Sequence, residues 1–199
     1  VQVDILLLSK GTPHFNLEEH IMRELYNEYF GYGLSSIIFQ EIRESKALAY
    51  ATYAVYTSPA KQHQAHYLNA YVGTQPDKLT SAIPALLDNI ENMPVVPAQI
   101  EHARQSILKR IESERITNSK LYWEAQMVYD RGHNEDLRKA IYEKMKSIYK
   151  TDLIRFHEQF VKGRAFTFLI MGKKDQIDIN YLKSIGKFTE LTLEEIFGY

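Results

Sequence analysis

Leu48-Ala49-Tyr50-Ala51-Thr52-Tyr53-Ala54-Val55-Tyr56-Thr57 and His63-Gln64-Ala65-His66-Tyr67-Leu68-Asn69-Ala70-Tyr71-Val72-Gly73 are the two runs that decide the fold class, with Ser58-Pro59-Ala60-Lys61 between them. Both are rich in Tyr, with Val and Thr, residues that suit a pleated, half-buried surface, and the separator is built from turn formers. Together they read as a long-stranded antiparallel hairpin. The first strand has two unlike faces, Ala47, Ala49 and Ala51 on one and Leu48, Tyr50 and Thr52 on the other. Successive side chains of a strand alternate, so an alanine face packed closely under helices would leave Tyr50 pointing the other way.

Upstream of the hairpin, Val1 to Ser9 reads as a buried strand stopped by Lys10-Gly11-Thr12-Pro13. Asn16 then caps a helix, with Glu19 three residues on as the second half of a capping box, and Ile21, Leu25 and Tyr29 form its apolar stripe. Gly31-Tyr32-Gly33 interrupts, and Ser35 or Ser36 opens a second helix through Ile37, Ile38, Phe39 and Ile42. Downstream, Thr74 with Asp77 is expected to cap a helix reaching about Asn92, before a break over Met93 to Pro97. Ile100, Ala103, Ile107, Leu108 and Ile111 repeat at helical spacing. Further helices are expected over Lys120–Asp130, Glu135–Met145, Asp152–Val161 and Ile179–Ile185, with a strand at Ala165 to Met171. Strands and helices in blocks predict an α+β fold, with a mostly antiparallel sheet covered by helices on one face. No repeat or linker interrupts the chain, so residues 1–199 are expected to form a single domain.

Composition narrows the function classes. With 45% hydrophobic residues, the 199-residue chain can bury a core. Its 24 Lys and Arg against 25 Asp and Glu give a net charge of −1, which argues against nucleic acid as a partner, because neutralising phosphates needs a basic surface. No apolar run approaches the ~18 residues of a membrane span. The absence of Cys removes disulfides, thiolate metal sites and cysteine nucleophiles together. No secretory leader opens the sequence, and a first residue of Val suggests a piece of something longer. The compartment is left open.

Metal ligation is the next possibility to weigh. Zinc hydrolases place ligands on one helix face as H-E-x-x-H or H-x-x-E-H. Asn16-Leu17-Glu18-Glu19-His20 has the Glu-His pair of the second pattern, but Asn16 holds the place of the first His. His14 lies before the helix start, and His157-Glu158 lacks its second His because Val161 occupies that place. His63 and His66 fall on opposite faces of the predicted strand. All seven His are therefore expected at the surface or in caps, and no metal site is assigned to this chain. Gly31-Tyr32-Gly33 follows a helix and lacks the Lys of a phosphate loop, and no G-x-S-x-G elbow is present.

Arg43 and Tyr50 form the remaining polar pair. A guanidinium offers fixed donors to a peptide carbonyl, and a phenol can donate to an oxyanion. By spacing alone, a helix-terminal Arg beside a half-buried Tyr is ordinary structure.

The block Gly33-Leu34-Ser35-Ser36-Ile37-Ile38-Phe39-Gln40-Glu41-Ile42-Arg43-Glu44-Ser45-Lys46-Ala47-Leu48-Ala49-Tyr50 resembles the pitrilysin/insulinase family of zinc peptidases. That family shows a G-L-S-S-x-L-F-x-x-I-R-E-x-x-G-L-A-Y-like block with Arg and Tyr seven apart. Tyr32 stands where another Gly is common, and Ala47 replaces the usual Gly. A looser likeness continues through Tyr71-Val72-Gly73-Thr74 and the following helices. The resemblance implies the mitochondrial processing peptidase/LuxS-like metallohydrolase fold, in a second-type ("inactive") domain of a protein whose similar domains enclose a chamber for unstructured peptides. The ending Phe197-Gly198-Tyr199 suggests its C-terminal domain. By the same resemblance Arg43 would hold a substrate carbonyl, and Tyr50 would stabilise the tetrahedral intermediate. Zinc would be bound by another, upstream domain of the same polypeptide. The competing expectations are a catalytically dead scaffold domain of the same family and a free-standing zinc enzyme using His14, Glu19 and His20.

Overall fold

The computed structural model describes residues 2–198, so Val1 and Tyr199, the outer ends of the expected first strand and of the expected C-terminus, lie outside the described residues. Four strands, β1 (Val3–Lys10), β2 (Ala51–Thr57), β3 (Tyr67–Thr74) and β4 (Thr167–Met171), form one antiparallel sheet in the order β2-β3-β1-β4. The register lines up apolar rows facing inward. Thr52, Val72, Ile5 and Ile170 make one row, and Ala54, Ala70, Leu7 and Phe168 the next. A one-residue slip would turn both rows to solvent, so burial fixes the register.

Helices cover that inner face. The described helices are α1 (Leu17–Tyr26), α2 (Ile37–Phe39), α3 (Leu79–Glu91), α4 (Pro97–Ser113), α5 (Asn118–Asp130), α6 (Leu137–Ser147), α7 (Lys150–Phe160), α8 (Ile179–Ile185) and α9 (Leu193–Phe197). The exceptions to that cover are α5 and α9, which bury no residue of their own. The α1 stripe is buried as its periodicity requires: Ile21, Leu25 and Tyr29 join Phe30, Ile38, Leu86 and Phe156 in one core. The helix widens into a π-helical turn over Asn27–Gly31. Gly31 allows this turn to press on β2, because a Cβ there would sit 2.4 Å from the Ala54 carbonyl oxygen. The Asn27 amide completes the contact by donating to Tyr56 O at 2.9 Å and accepting from Tyr56 N at 2.8 Å. Among the described residues no helix is long and apolar enough to cross a membrane.

The α+β class and the antiparallel sheet agree with the sequence reading, but several local expectations do not. The first hairpin strand begins at Ala51 and the second at Tyr67, with residues 58–66 as a long connection. The alanine argument fails: Thr52, Ala54 and Tyr56 face the core, whereas Ala51 is exposed. Tyr50 precedes the strand at a bend and is exposed for that reason. Thr74 is no helix cap. It ends β3 and donates its hydroxyl to Leu48 O at 2.5 Å, while a 3-10 turn at Pro76–Lys78 leads into α3.

Candidate functional site

The Arg43-to-Tyr50 connection is anchored at both ends. Ser36 caps α2 by accepting from Phe39 N at 3.4 Å, and its own hydroxyl donates to Gly33 O at 2.8 Å. Ile37, Ile38 and Ile42 are buried, so the α2 helix and the π-helical turn that follows it, Gln40–Ser45, are held by their apolar side. That leaves Arg43 on the outside, with 43% of its side chain exposed. Its guanidinium lies over the Phe39 ring, 4.8 Å from the centroid, and its Nε is 3.7 Å from Glu44 Oε1. Such an exposed ion pair is worth ~1 kcal/mol or less, so the guanidinium can exchange it for a better acceptor.

Between the two residues the chain turns sharply. Ala47 has φ of +49°, a left-handed conformation that the related block meets with Gly. The Ala47 carbonyl accepts from Lys78 Nζ at 2.9 Å, Leu48 N donates to Ile42 O at 3.0 Å, and Tyr50 N donates to Gly73 O at 2.8 Å. The end of β3 and the turn after it hold residues 47–50 at four points, through Lys78, Gly73, the Thr74 hydroxyl on Leu48 O and, as the last, a side-chain bond. In that last contact Gln75 Nε2 donates to the Tyr50 phenol oxygen at 2.7 Å. Tyr50 is 51% exposed. Its oxygen serves as acceptor to Gln75, and the phenol proton is not committed to any other group among the described residues. Arg43 and Tyr50 sit at the two ends of one braced connection; their own contacts run to Phe39, Glu44 and Gln75 rather than to each other.

The start of α1 is arranged in the opposite manner. Asn16 Oδ1 accepts from Glu19 N at 2.9 Å, as a cap does. The return half of the capping box is missing, because the Glu19 carboxylate turns inward. It accepts from Thr12 Oγ1 at 2.7 and 2.8 Å and from Tyr56 OH at 2.5 Å, with His66 Nδ1 at 3.6 Å. His20 Nδ1 lies 2.8 Å from Ser58 Oγ. The surface expectation for the histidines is wrong for three of them: His20, His66 and His157 are all buried. His157 donates through Nε2 to Ile90 O at 2.7 Å. Burial, reinforced by Arg23 and Arg131, pushes the His20 imidazole down to about 3. Burial also lowers His66 and His157, each partly opposed by an acceptor, Glu19 for the first and the Ile90 carbonyl for the second.

These side chains do not fit zinc. Asn16 is committed to the helix cap, the Glu19 oxygens to two hydroxyls, and His20 Nδ1 to Ser58. Among the described residues no group of three or more His, Asp or Glu is placed to hold a metal ion. Sequence reasoning missed Gln75, Lys78 and the inward turn of Glu19. The only available signal for the first two was their position directly after the Tyr71-Val72-Gly73-Thr74 strand end.

Residues 2–107, which contain the whole Arg43–Tyr50 connection and most of the sheet, match the family described as the peptidase M16 inactive domain. The chain belongs to that family. The matched region of this M16 inactive domain covers more than half of the chain, and the resemblance in the 33–50 block is thereby borne out. An uncharacterized zinc protease of Rickettsia bellii is 34% identical over 113 residues, 56% of this chain and 27% of that protein. The matched region is thus a minor part of a much longer relative. In fold, the domain is similar to the crystal structure of a peptidase M16 inactive domain from Pseudomonas fluorescens, with a TM-score of 0.69 at 11% identity, covering 85% of this chain and 40% of that one. It is similar also to an inactive peptidase domain from Bordetella parapertussis, with a TM-score of 0.68 at 12% identity, covering 85% of this chain and 92% of that one.

Proposed function

We propose that residues 1–199 form a non-catalytic, substrate-holding domain of a zinc metalloendopeptidase that degrades unstructured peptides. The zinc and its ligands belong to an upstream domain of the same polypeptide. Arg43 holds a backbone carbonyl of the peptide through its planar donors. Tyr50 donates its phenol proton to the oxyanion that develops as the peptide bond is attacked. The observation that supports this reading best is the state of Tyr50: exposed, held by its backbone, and with its oxygen already accepting from Gln75. A side chain so placed has one hydrogen-bonding capacity left, and it is the one an oxyanion requires.

The test uses the full-length protein and an unstructured peptide substrate. Tyr50→Phe is expected to lower kcat with KM nearly unchanged, because the lost interaction exists only in the transition state. Arg43→Ala is expected to raise KM at least as much as it lowers kcat. Equal turnover in Tyr50→Phe and the parent would remove the assigned role. A folded full-length protein without peptidase activity would favour the scaffold reading instead.

A further inference from the structure

We propose that Gln75 is a positioning residue that fixes which way the Tyr50 hydrogen bond runs; this rests on the role proposed above for Tyr50. A phenol can accept or donate, and an exposed tyrosine beside a carboxylate or carbonyl would turn its proton toward that group. Here its neighbour is the amide of Gln75, and the Nε2 atom lies 2.7 Å from the phenol oxygen. In this arrangement the amide presents Nε2, which has only protons to offer, so the phenol oxygen is the acceptor and its proton points away. Gln75 is itself well placed for this task. It follows directly on Gly73 and Thr74, whose carbonyl and hydroxyl hold Tyr50 N and Leu48 O, and its own carbonyl accepts from Lys78 N at 3.0 Å at the start of the 3-10 turn. The backbone that carries the amide and the backbone that carries the phenol are therefore parts of one clamp. The amide also draws electron density from the phenol oxygen, which strengthens the phenol as a donor to an oxyanion.

Because Tyr50 is exposed and Gln75 only half-buried, the alternative is a surface contact of no consequence, and the substitutions must separate the two. Gln75→Glu keeps the shape but replaces donor by acceptor. The introduced carboxylate would take the phenol proton and oppose the developing negative charge. In the full-length protein at pH 7.5, Gln75→Glu is expected to lower kcat roughly 100-fold, the scale of losing one oxyanion donor, with KM within about twofold. Gln75→Leu, which removes the bond without reversing it, is expected to lose about three- to tenfold in kcat. The thermal midpoint should not move in either variant. The Gln75→Glu deficit should narrow as the pH is lowered from 7.5 toward 5.5, because a growing fraction of the introduced carboxyl is protonated and can donate again. In a Tyr50→Phe background neither change should matter by more than about twofold.

Retention of kcat within about twofold in Gln75→Glu, while Tyr50→Phe is impaired, would overturn the role of Gln75 and leave that of Tyr50 standing. An equal loss from Gln75→Glu with and without the Tyr50 hydroxyl would overturn it too, since a general charge effect needs no phenol. Unimpaired turnover in Tyr50→Phe, or a folded full-length protein with no peptidase activity, would overturn the underlying reading and this inference with it.

Discussion

The start of α1 and the Arg43–Tyr50 connection are both rich in polar side chains, yet the fold treats them in opposite ways. At α1 three of the polar groups are turned inward: Glu19 onto Thr12 and Tyr56, His20 onto Ser58, and His66 into full burial beside Glu19. At the connection the backbone is tied down while the side chains of Arg43 and Tyr50 stay exposed. The first region carries the residues most like a metal motif, and they serve the stability of the domain. The second carries residues that look ordinary by spacing, and they are the ones left at the surface, where the proposed role needs them. Chemical character in the sequence is thus a poor guide to function until burial is known.

If the α1 cluster is structural, breaking it should be costly. Glu19→Ala would leave the Thr12 and Tyr56 hydroxyls without their acceptor in a buried setting, and is expected to lower stability by about 3 kcal/mol. Urea unfolding of the purified chain measures this, and a loss below about 1 kcal/mol would show that the cluster is not a stability element. The buried histidines give a weaker effect with a definite sign. His20, His66 and His157 are all lowered in the folded state, so the unfolded chain takes up their protons first, near pH 6.5. Their contribution is complete above that pH and is lost as the pH falls below it. For His20 the loss is expected at about 1.4 kcal/mol per pH unit, continuing toward its folded value of about 3. Unfolding free energies between pH 8 and 5 should show this slope, and His20→Gln should flatten it; a pH-independent stability across that range contradicts the buried neutral rings. At the connection the smallest change is expected. Ala47→Gly relieves the left-handed backbone at +49° and should stabilise the domain by about 1 kcal/mol, whereas destabilisation would show that the turn is not held as described.

Much of the fold was legible because its signals are local. The α1 stripe of Ile21, Leu25 and Tyr29, the Asn16 cap and the strand expected at Ala165 to Met171, observed at Thr167–Met171, follow from local signals alone. The hairpin was legible in kind but not in extent. His66 belongs to the connection, and Tyr50 precedes the strand because Ala47 turns the chain just before it. The alanine face misled because Ala47 and Ala49 precede the strand, and Ala51, its first residue, lies on the outer face. Arg43 and Tyr50 were legible only through resemblance to a known block. The inward Glu19 was not legible, and Gln75 and Lys78 were marked only by their place after a strand end, since each acts through contacts between segments distant in sequence. Glu19 bonds Tyr56 across 37 residues, and Gln75 bonds Tyr50 across 25.

The contrast between the two regions can be tested by one side-by-side assay of the full-length protein, measuring turnover and bound zinc for Tyr50→Phe and His20→Gln at a temperature where both are folded. Tyr50→Phe is expected to lose about 10²–10³ in kcat at unchanged zinc content, the scale of a lost oxyanion donor. His20→Gln is expected to keep both turnover and zinc. Full turnover in Tyr50→Phe together with zinc lost from His20→Gln would contradict the account and place the chemistry at the start of α1.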